Sequence, residues 1–384
     1  MCDGRLTGMS TALTPEHIAL RDAVGDLLAK RAGESEVRRL MTEDSGYDAD
    51  LWSELAAMGV LGLTIPEEFG GAGAGSAELA VVSEQMGAAL LCAPYLSTAV
   101  LTPYLLATLD DSAECTRILP RIAAGELVAT VAFAEAGDTR PPQHPATEAT
   151  RVADRSWALS GEKTYVLDAP AAELFYILAQ TPTGAAFFAV DRSAVSVAPL
   201  ATVDQTRKQG RVVLDGTPGR LVGSVGTARP ALETALDRAG IALIAEQAGG
   251  AMKTMQMAAD YARTRFQFGR AIGSFQAVKH MCVDILLEAQ SAVSAARHVA
   301  AAFDAGEPDR HIDLALAQAY CSEAYVTAAA TNIQVHGGIG FTWEHPAHLY
   351  LRRARTDAQI FGDPAWHRER YVRLRENFLV EEMS

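Results

Sequence analysis

The stretch HGGIGFTWEHPAHLYLRRARTDAQIFGDPAW, from His336 to Trp366, points most directly to chemistry. It opens on a Gly-Gly pair, and glycine serves where backbone must approach a ligand closely or take φ > 0. It ends where a catalytic carboxylate would be sought, a group whose pKa burial can raise toward the working pH. No Glu occurs between Glu344 and Glu369, and the nearest acids are Asp357 and Asp363. Three readings stand open: a base elsewhere in the chain, a base from a partner, or a lost reaction. Neither His336 nor His367 falls in metal-ligand spacing; His336 lies beside the turn, against cofactor or neighbour. The sequence has no nucleophile elbow and no Walker or GxGxxG fingerprint after a strand.

The elements that position this stretch follow from composition and period. The chain has 384 residues, which suggests two or three domains. Hydrophobic residues make up 49% and charged residues 21%, as in a soluble globular protein with a large core. The net charge, 33 − 47 = −14, argues against broad binding of nucleic acid or anionic membrane. Five cysteines, at 2, 92, 115, 282 and 321, form no CxxC, so reduced core thiols in a cytoplasmic setting are expected. No apolar run is long enough to span a membrane, and MCDGRLTGMS lacks the apolar centre of a signal peptide. Met9 is a possible alternative start, and residues 1–13 are expected to be disordered.

Residues 14–125 read as a helical domain. Thr14 is a plausible cap with Pro15 at the first helical position, and Leu63 to Gly75 is a break rich in Pro and Gly. Residues 126–223 read as a β domain. ELVATVAFAE, SWALSGEKTYVLD, ELFYILAQT, AAFFAVD and RVVLDG are short and turn-bounded, which suggests a small sandwich or barrel. Residues 224–384 return to helix. Val278, Cys282, Ile285, Ala289, Val293, Ala296 and Ala300 form one stripe, and Leu314, Ala317, Cys321, Ala324 and Ala328 another. Such Ala-rich stripes suit a four-helix bundle. The expected fold is mainly α with a central β domain.

Four stretches resemble the acyl-CoA dehydrogenase family. They are LWSELAAMGVLGLTIPEEFGG (Leu51 to Gly71), FAEAGD (Phe133 to Asp138), RTRFQFGRAIGSFQAVKHMCVD (Arg263 to Asp284) and QVHGGIGFTWEHP (Gln334 to Pro346). The third and fourth are the most specific, and the order along nearly the whole chain is that of the family. The resemblance implies an FAD flavoprotein that removes two hydrogens across Cα–Cβ of an acyl-CoA. A carboxylate takes the α-proton, flavin takes the β-hydride, and electrons pass to an electron-transferring flavoprotein or similar acceptor.

The resemblance also assigns residues. Arg265 falls on the FAD pyrophosphate, for which a guanidinium fork is suited. Gln276 falls on the adenosine part, walled by Phe268 and Phe275. Gln334, Gly337 and Gly338 match a turn that reaches FAD across a subunit interface. Tyr165, Val166 and Leu167 fall beside the flavin ring, where Leu167 replaces a hydroxyl residue. Glu135 falls in a loop near the cofactor, where Ala134 and Ala136 replace the usual hydroxyl and Pro. No metal is implied.

The family's two usual Glu positions fall on Phe361, aligned through Gly362, and on Ala239. Asp363, two residues beyond the first, is the candidate base within the chain, with Asp357 and Glu246 as remoter ones. The fuller account is a partner. Some bacterial members resemble half-enzymes that pair with a Glu-bearing paralogue, and GDPAWHRER resembles actinobacterial proteins of this kind, many linked to sterol or bulky acyl-CoA breakdown. A homo-oligomer, a catalytically silent subunit, or different flavin chemistry on the same fold are the alternatives.

Overall fold

The computed structural model describes residues 12–153 and 156–382. The expected disordered start therefore lies, through residue 11, outside the described residues.

The first layer is helical: α1 (Pro15–Arg31), α2 (Glu34–Met41), α3 (Ala49–Ala57), α4 (Ser76–Ala89), α5 (Thr102–Leu109) and α6 (Ser112–Ala123). The start of α1 is set by Thr14, whose side chain accepts the His17 N–H, with Pro15 at the first position. A buried π-helical run, Tyr95–Leu101, leads into α5.

Seven strands follow: β1 (Ala129–Ala132), β2 (Glu148–Ala153), β3 (Ser156–Leu167), β4 (Leu174–Thr181), β5 (Gly184–Asp191), β6 (Ser196–Pro199) and β7 (Gln209–Val222). Their pairing runs β4–β2–β3–β7–β5 and returns to β4, so the sheet closes into a barrel. Strand β1 joins β4 in parallel, and β6 pairs with β7. Closure removes free edges and leaves an apolar interior. The sequence reading missed β2 and β6. Both are short, and β2 carries an outward Val152, 70% exposed, so neither shows the clean alternation of a half-buried strand.

The last layer holds α7 (Ala228–Thr264), α8 (Gln276–Ala305), α9 (Arg310–His336), α10 (Gly338–Phe341), α11 (Ala347–Asp357) and α12 (Pro364–Glu382). Helices α7, α8 and α9 pack on one another and α12 lies along α9, which makes the bundle. From Ile285 to Ala300 the α8 stripe is buried, as is the whole α9 stripe. Helix α4 docks on α7 through two glycines. A Cβ on Gly87 would drive into the backbone of Glu246, and one on Gly249 into that of Glu84. That close crossing fixes the first layer against the bundle.

Between α7 and α8 stands a hairpin, β8 (Phe266–Gln267) with β9 (Arg270–Ala271). Its turn residues Phe268 and Gly269 both take positive φ, the hand that two-residue hairpins favour. Among the described residues no helix is long and apolar enough to cross a membrane, and no cluster of ligating side chains could hold a metal.

Candidate active site

Two cavities meet at one residue. The first, about 460 Å³, lies between the barrel and the segment after α11. A bulge in β3 between Lys163 and Val166 breaks the pairing with β7, and there Tyr165 adopts φ +53°. The chain so presents Thr164, Tyr165, Val166 and Leu167 to the cavity. Opposite stand Arg355, Thr356, Gln359, Ile360 and Phe361. The Thr139 hydroxyl donates to the Gln359 carbonyl at 2.7 Å and ties the 136–147 loop over this cavity.

The second cavity, about 920 Å³, lies among the start of α7, α9, α12 and the same loop. Phe361 lines both cavities. It is 4% exposed, packs against Phe133 with ring centroids 6.4 Å apart, and holds φ +63°. A bulky residue in the left-handed region is strained, and such strain persists only where the surroundings fix it.

Among the described residues no Asp, Glu or His lines the first cavity, and Arg355 is the charged residue in its lining. Ala239 is fully buried in α7. The three acids weighed as bases all lie elsewhere. Asp363 is exposed, lines neither cavity, and accepts the Trp366 N–H at 2.8 Å as the cap of α12. Its carboxylate serves a helix start. Glu246 is buried between Arg207 and Arg353. Burial pushes its carboxyl up, but the two guanidinium groups hold it below the usual range. Asp357 is 1% exposed, 3.2 Å from Arg207 Nε, and neither of its oxygens has a hydrogen bond. Burial pushes it up to about 7.

Glu135 does not line the first cavity. Its carboxylate turns from the first cavity to the buried Lys163, 2.7 Å away, and accepts the N–H groups of Ala146 and Thr147. It closes the base of the 136–147 loop and leaves no oxygen directed at the cavity lining. Burial lowers Lys163 to about 8, against the pull of Glu135.

The remaining assigned residues gather at the far end of the bundle. Tyr261, near the end of α7, stacks on His336 at 4.2 Å, which brings the β8–β9 hairpin beside the Gly337–Gly338 turn. Arg265, Gln276 and Gln334 are exposed there, and Arg265 has no side-chain hydrogen bond or ion pair among the described residues. Phe268 is 83% exposed and meets Phe275 edge-on at 6.2 Å. Gly337 takes φ +64° and ψ −142°, and a Cβ at either glycine would meet nothing. His336 is buried and bonded through Nδ1 to the Asn332 carbonyl at 2.8 Å, so it braces the turn.

An unpaired guanidinium flanked by exposed aromatic rings fits the phosphates and adenosine of a dinucleotide. The first cavity fits a flat ring system with Tyr165 at its edge. None of Arg265, Phe268, Phe275, Gln276, Gln334, Gly337 or Gly338 lines that cavity. The two groups of assigned residues thus line different surfaces of the chain.

The sequence reading missed the groups that only folding assembles. In the second cavity Asp237 bonds Arg370 at 2.6 Å and His311 at 2.7 Å. Beneath the first cavity Arg353 joins Asp204, Thr206, Glu246 and the Leu91 carbonyl. The partners come from distant parts of the chain, and no local spacing marks them.

Comparison with known proteins places these features. Residues 14–126 match the acyl-CoA dehydrogenase N-terminal domain, and residues 226–373 match the acyl-CoA dehydrogenase C-terminal domain. Acyl-CoA dehydrogenase IpdE2 of Mycobacterium tuberculosis (strain ATCC 25618 / H37Rv) is 35% identical, over 92% of this chain and 95% of its own. The ChsE4-ChsE5 complex from Mycobacterium tuberculosis contains a chain with TM-score 0.85 and 28% identity, covering 95% of this chain and 98% of that one. A variant of the Tcur3481-Tcur3483 steroid ACAD gives TM-score 0.84 and 28% identity, over 95% and 99%.

Proposed function

Because the chain belongs to the acyl-CoA dehydrogenase family, FAD-dependent oxidoreductases that act on CH–CH groups, we propose that it is the carboxylate-lacking subunit of a heteromeric acyl-CoA dehydrogenase. One observation carries this reading. The first cavity has no acid in its lining, and the two positions where a base would stand hold Phe361 and Ala239. Abstraction of an α-proton needs a positioned base, so the base comes from a Glu-bearing paralogue.

Arg265, Gln276 and the Gly337–Gly338 turn serve a shared FAD. Arg265 holds the pyrophosphate, Phe268 and Phe275 wall the adenosine, and the glycine turn lets backbone approach the cofactor. Bound FAD supplies the hydride acceptor, and the electrons leave to an electron-transferring flavoprotein or similar acceptor. Tyr165, Val166 and Leu167 would wall a separate flavin ring in this chain's own cavity, with one hydrogen bond fewer because Leu167 lacks a hydroxyl. The name of the ChsE4-ChsE5 complex supports assembly of two different chains, and that of the steroid ACAD supports a bulky acyl group.

The test is co-purification of this chain with a Glu-bearing paralogue, followed by anaerobic mixing with an acyl-CoA panel. The heteromer retains FAD and its flavin bleaches. This chain alone shows no bleaching with any acyl-CoA. Bleaching by this chain alone sinks the proposal.

A further inference from the structure

The guanidinium arm and the glycine turn assigned above to a shared FAD come from different elements. Arg265 leaves the end of α7, whereas Gly337 ends α9. One cofactor can meet both only if their spacing is held. A column of three rings crosses between them. Tyr261 of α7 stacks on His336, with centroids 4.2 Å apart and ring planes 27° apart. His336 in turn meets His345 at 4.3 Å and 44°.

Each ring is tied to a part that spacing concerns. The Tyr261 carbonyl accepts the Arg265 N–H at 2.8 Å, so ring and arm share one turn of backbone. His336 immediately precedes Gly337, and its Nδ1 donates to the Asn332 carbonyl at 2.8 Å. The turn folds back over this side chain, since a Cβ on Gly340 would lie 2.8 Å from the His336 Cβ. His345 Nδ1 accepts the Ala347 N–H at 3.2 Å and roots the column at the start of α11. Burial holds both imidazoles below their ordinary value, so they are neutral near pH 7 and stack without mutual repulsion. All three rings line a third cavity of about 720 Å³, set among α1, α2, α4 and α7. One side of the column therefore borders that cavity and not packed side chains, and ring-on-ring contact is what fixes it.

We propose that Tyr261, His336 and His345 are positioning residues: their stack sets the distance between Arg265 and the Gly337–Gly338 turn, so that both reach one FAD. The inference rests on the reading that these two groups serve a shared FAD. None of the three rings has to touch the cofactor.

The FAD dissociation constant of the holo-heteromer, read from flavin fluorescence on serial dilution, tests this. His345→Phe keeps the ring and loses the acceptor for Ala347; affinity stays within about twofold of the parent. His345→Asn keeps an acceptor and loses the ring; affinity falls about three- to tenfold, the range of one lost aromatic pair. Tyr261→Phe and Tyr261→Leu divide in the same way, and they decide the matter where thermal unfolding shows a His345 variant to be misfolded. With Arg265→Ala also present, the His345→Asn loss shrinks to less than about twofold, because the arm that the stack places is gone. Equal effects of ring-keeping and ring-removing variants, the reverse order, or an undiminished His345→Asn loss beside Arg265→Ala overturns the proposal. Weaker FAD binding in Arg265→Ala but not in His345→Asn defeats the positioning role alone. No weakening in Arg265→Ala defeats the shared-FAD reading with it.

Discussion

Asp357→Asn should stabilise the chain at pH 8, by less at pH 5, and not at all below about pH 4. The joint among the three layers contains Arg207 and Arg353 as cations, and Asp204, Glu246 and Asp357 as carboxyls. Two positive charges face three acids, with the buried Asp168 also in their field, so carboxyls are in excess. Arg353 binds Asp204 at 2.9 Å and Glu246 at 2.6 Å, while Asp357 has no hydrogen bond at all. The unpartnered hydroxyl of Tyr325, from α9, adds no cation. Burial pushes Asp357 up to about 7, with Glu246 and Asp204 adding to the rise and the arginines opposing it.

An acid whose native pKa exceeds its unfolded value binds its proton more tightly when folded. Its contribution to stability is present at low pH and is lost as pH rises through the native value. One proton is worth about 1.4 kcal/mol per pH unit, so the interval from about 4 to about 7 sets a ceiling of roughly 4 kcal/mol. That value already includes the attraction of the arginines; relaxation around the ionised acid brings the expected gain for Asn to about 1–2 kcal/mol at pH 8, within the range for replacing buried charge by neutral groups. Urea unfolding from pH 5 to pH 8 reads the effect as a midpoint difference at unchanged slope. A pH-independent difference, or an Asn variant that is weaker at pH 8, refutes the excess-charge argument.

Three further outcomes follow from the same geometry. Arg353→Leu strands Asp204 and leaves Glu246 with Arg207 alone, and should cost about 3–5 kcal/mol in urea unfolding at pH 7, with a smaller loss at acid pH. Arg265→Ala removes a charge-assisted contact to the cofactor; FAD retained by the heteromer after gel filtration should fall roughly ten- to a hundredfold, with the unfolding midpoint of the chain unchanged. Phe361→Glu sets a carboxylate between the two cavities at a backbone already in the left-handed region; it should lower the thermal midpoint and raise flavin bleaching by about 10²-fold or more if this chain's cavity holds a flavin ring. Unchanged bleaching in a variant with flavin bound there would separate a missing base from a wrongly shaped passage.

The fold was legible where a pattern repeats. The α8 and α9 stripes span many turns each, and tertiary packing reinforces their helical period. The barrel strands with buried runs, such as Leu174–Thr181, were legible for the same reason, whereas β2 and β6 were not. The Tyr165–Leu167 run and the glycine turn stood out through motifs, but their separation did not. Gly337 and Tyr165 look alike in sequence as ligand-facing positions, and only the packing puts one at the bundle's end and the other at the barrel bulge. Asp363 looked like chemistry because it follows Phe361, yet a residue just before Pro364 at a helix start is a cap by local geometry. The joint was hidden because its ion pairs link residues 39, 107 and 149 apart.

The separation of the two groups bears on why a base can be absent. A residue lining the first cavity acts on whatever this chain itself binds, whereas Arg265 and the glycine turn face outward, away from that cavity. The outward group keeps an exposed, unpaired guanidinium and a glycine at φ +64°. The inward group has a phenylalanine where a base would stand, packed against Phe133 and strained in its backbone. If both groups served one active site inside the chain, loss of the base would remove the reason to keep the other. Their different states are coherent when the outward group works on a cofactor whose reacting end lies in another chain. On this argument Phe361→Glu and Arg265→Ala should act independently in the heteromer, with additive effects on flavin retention. Strong coupling between the two substitutions would place both residues on the same cofactor, and the division of labour proposed above would fail.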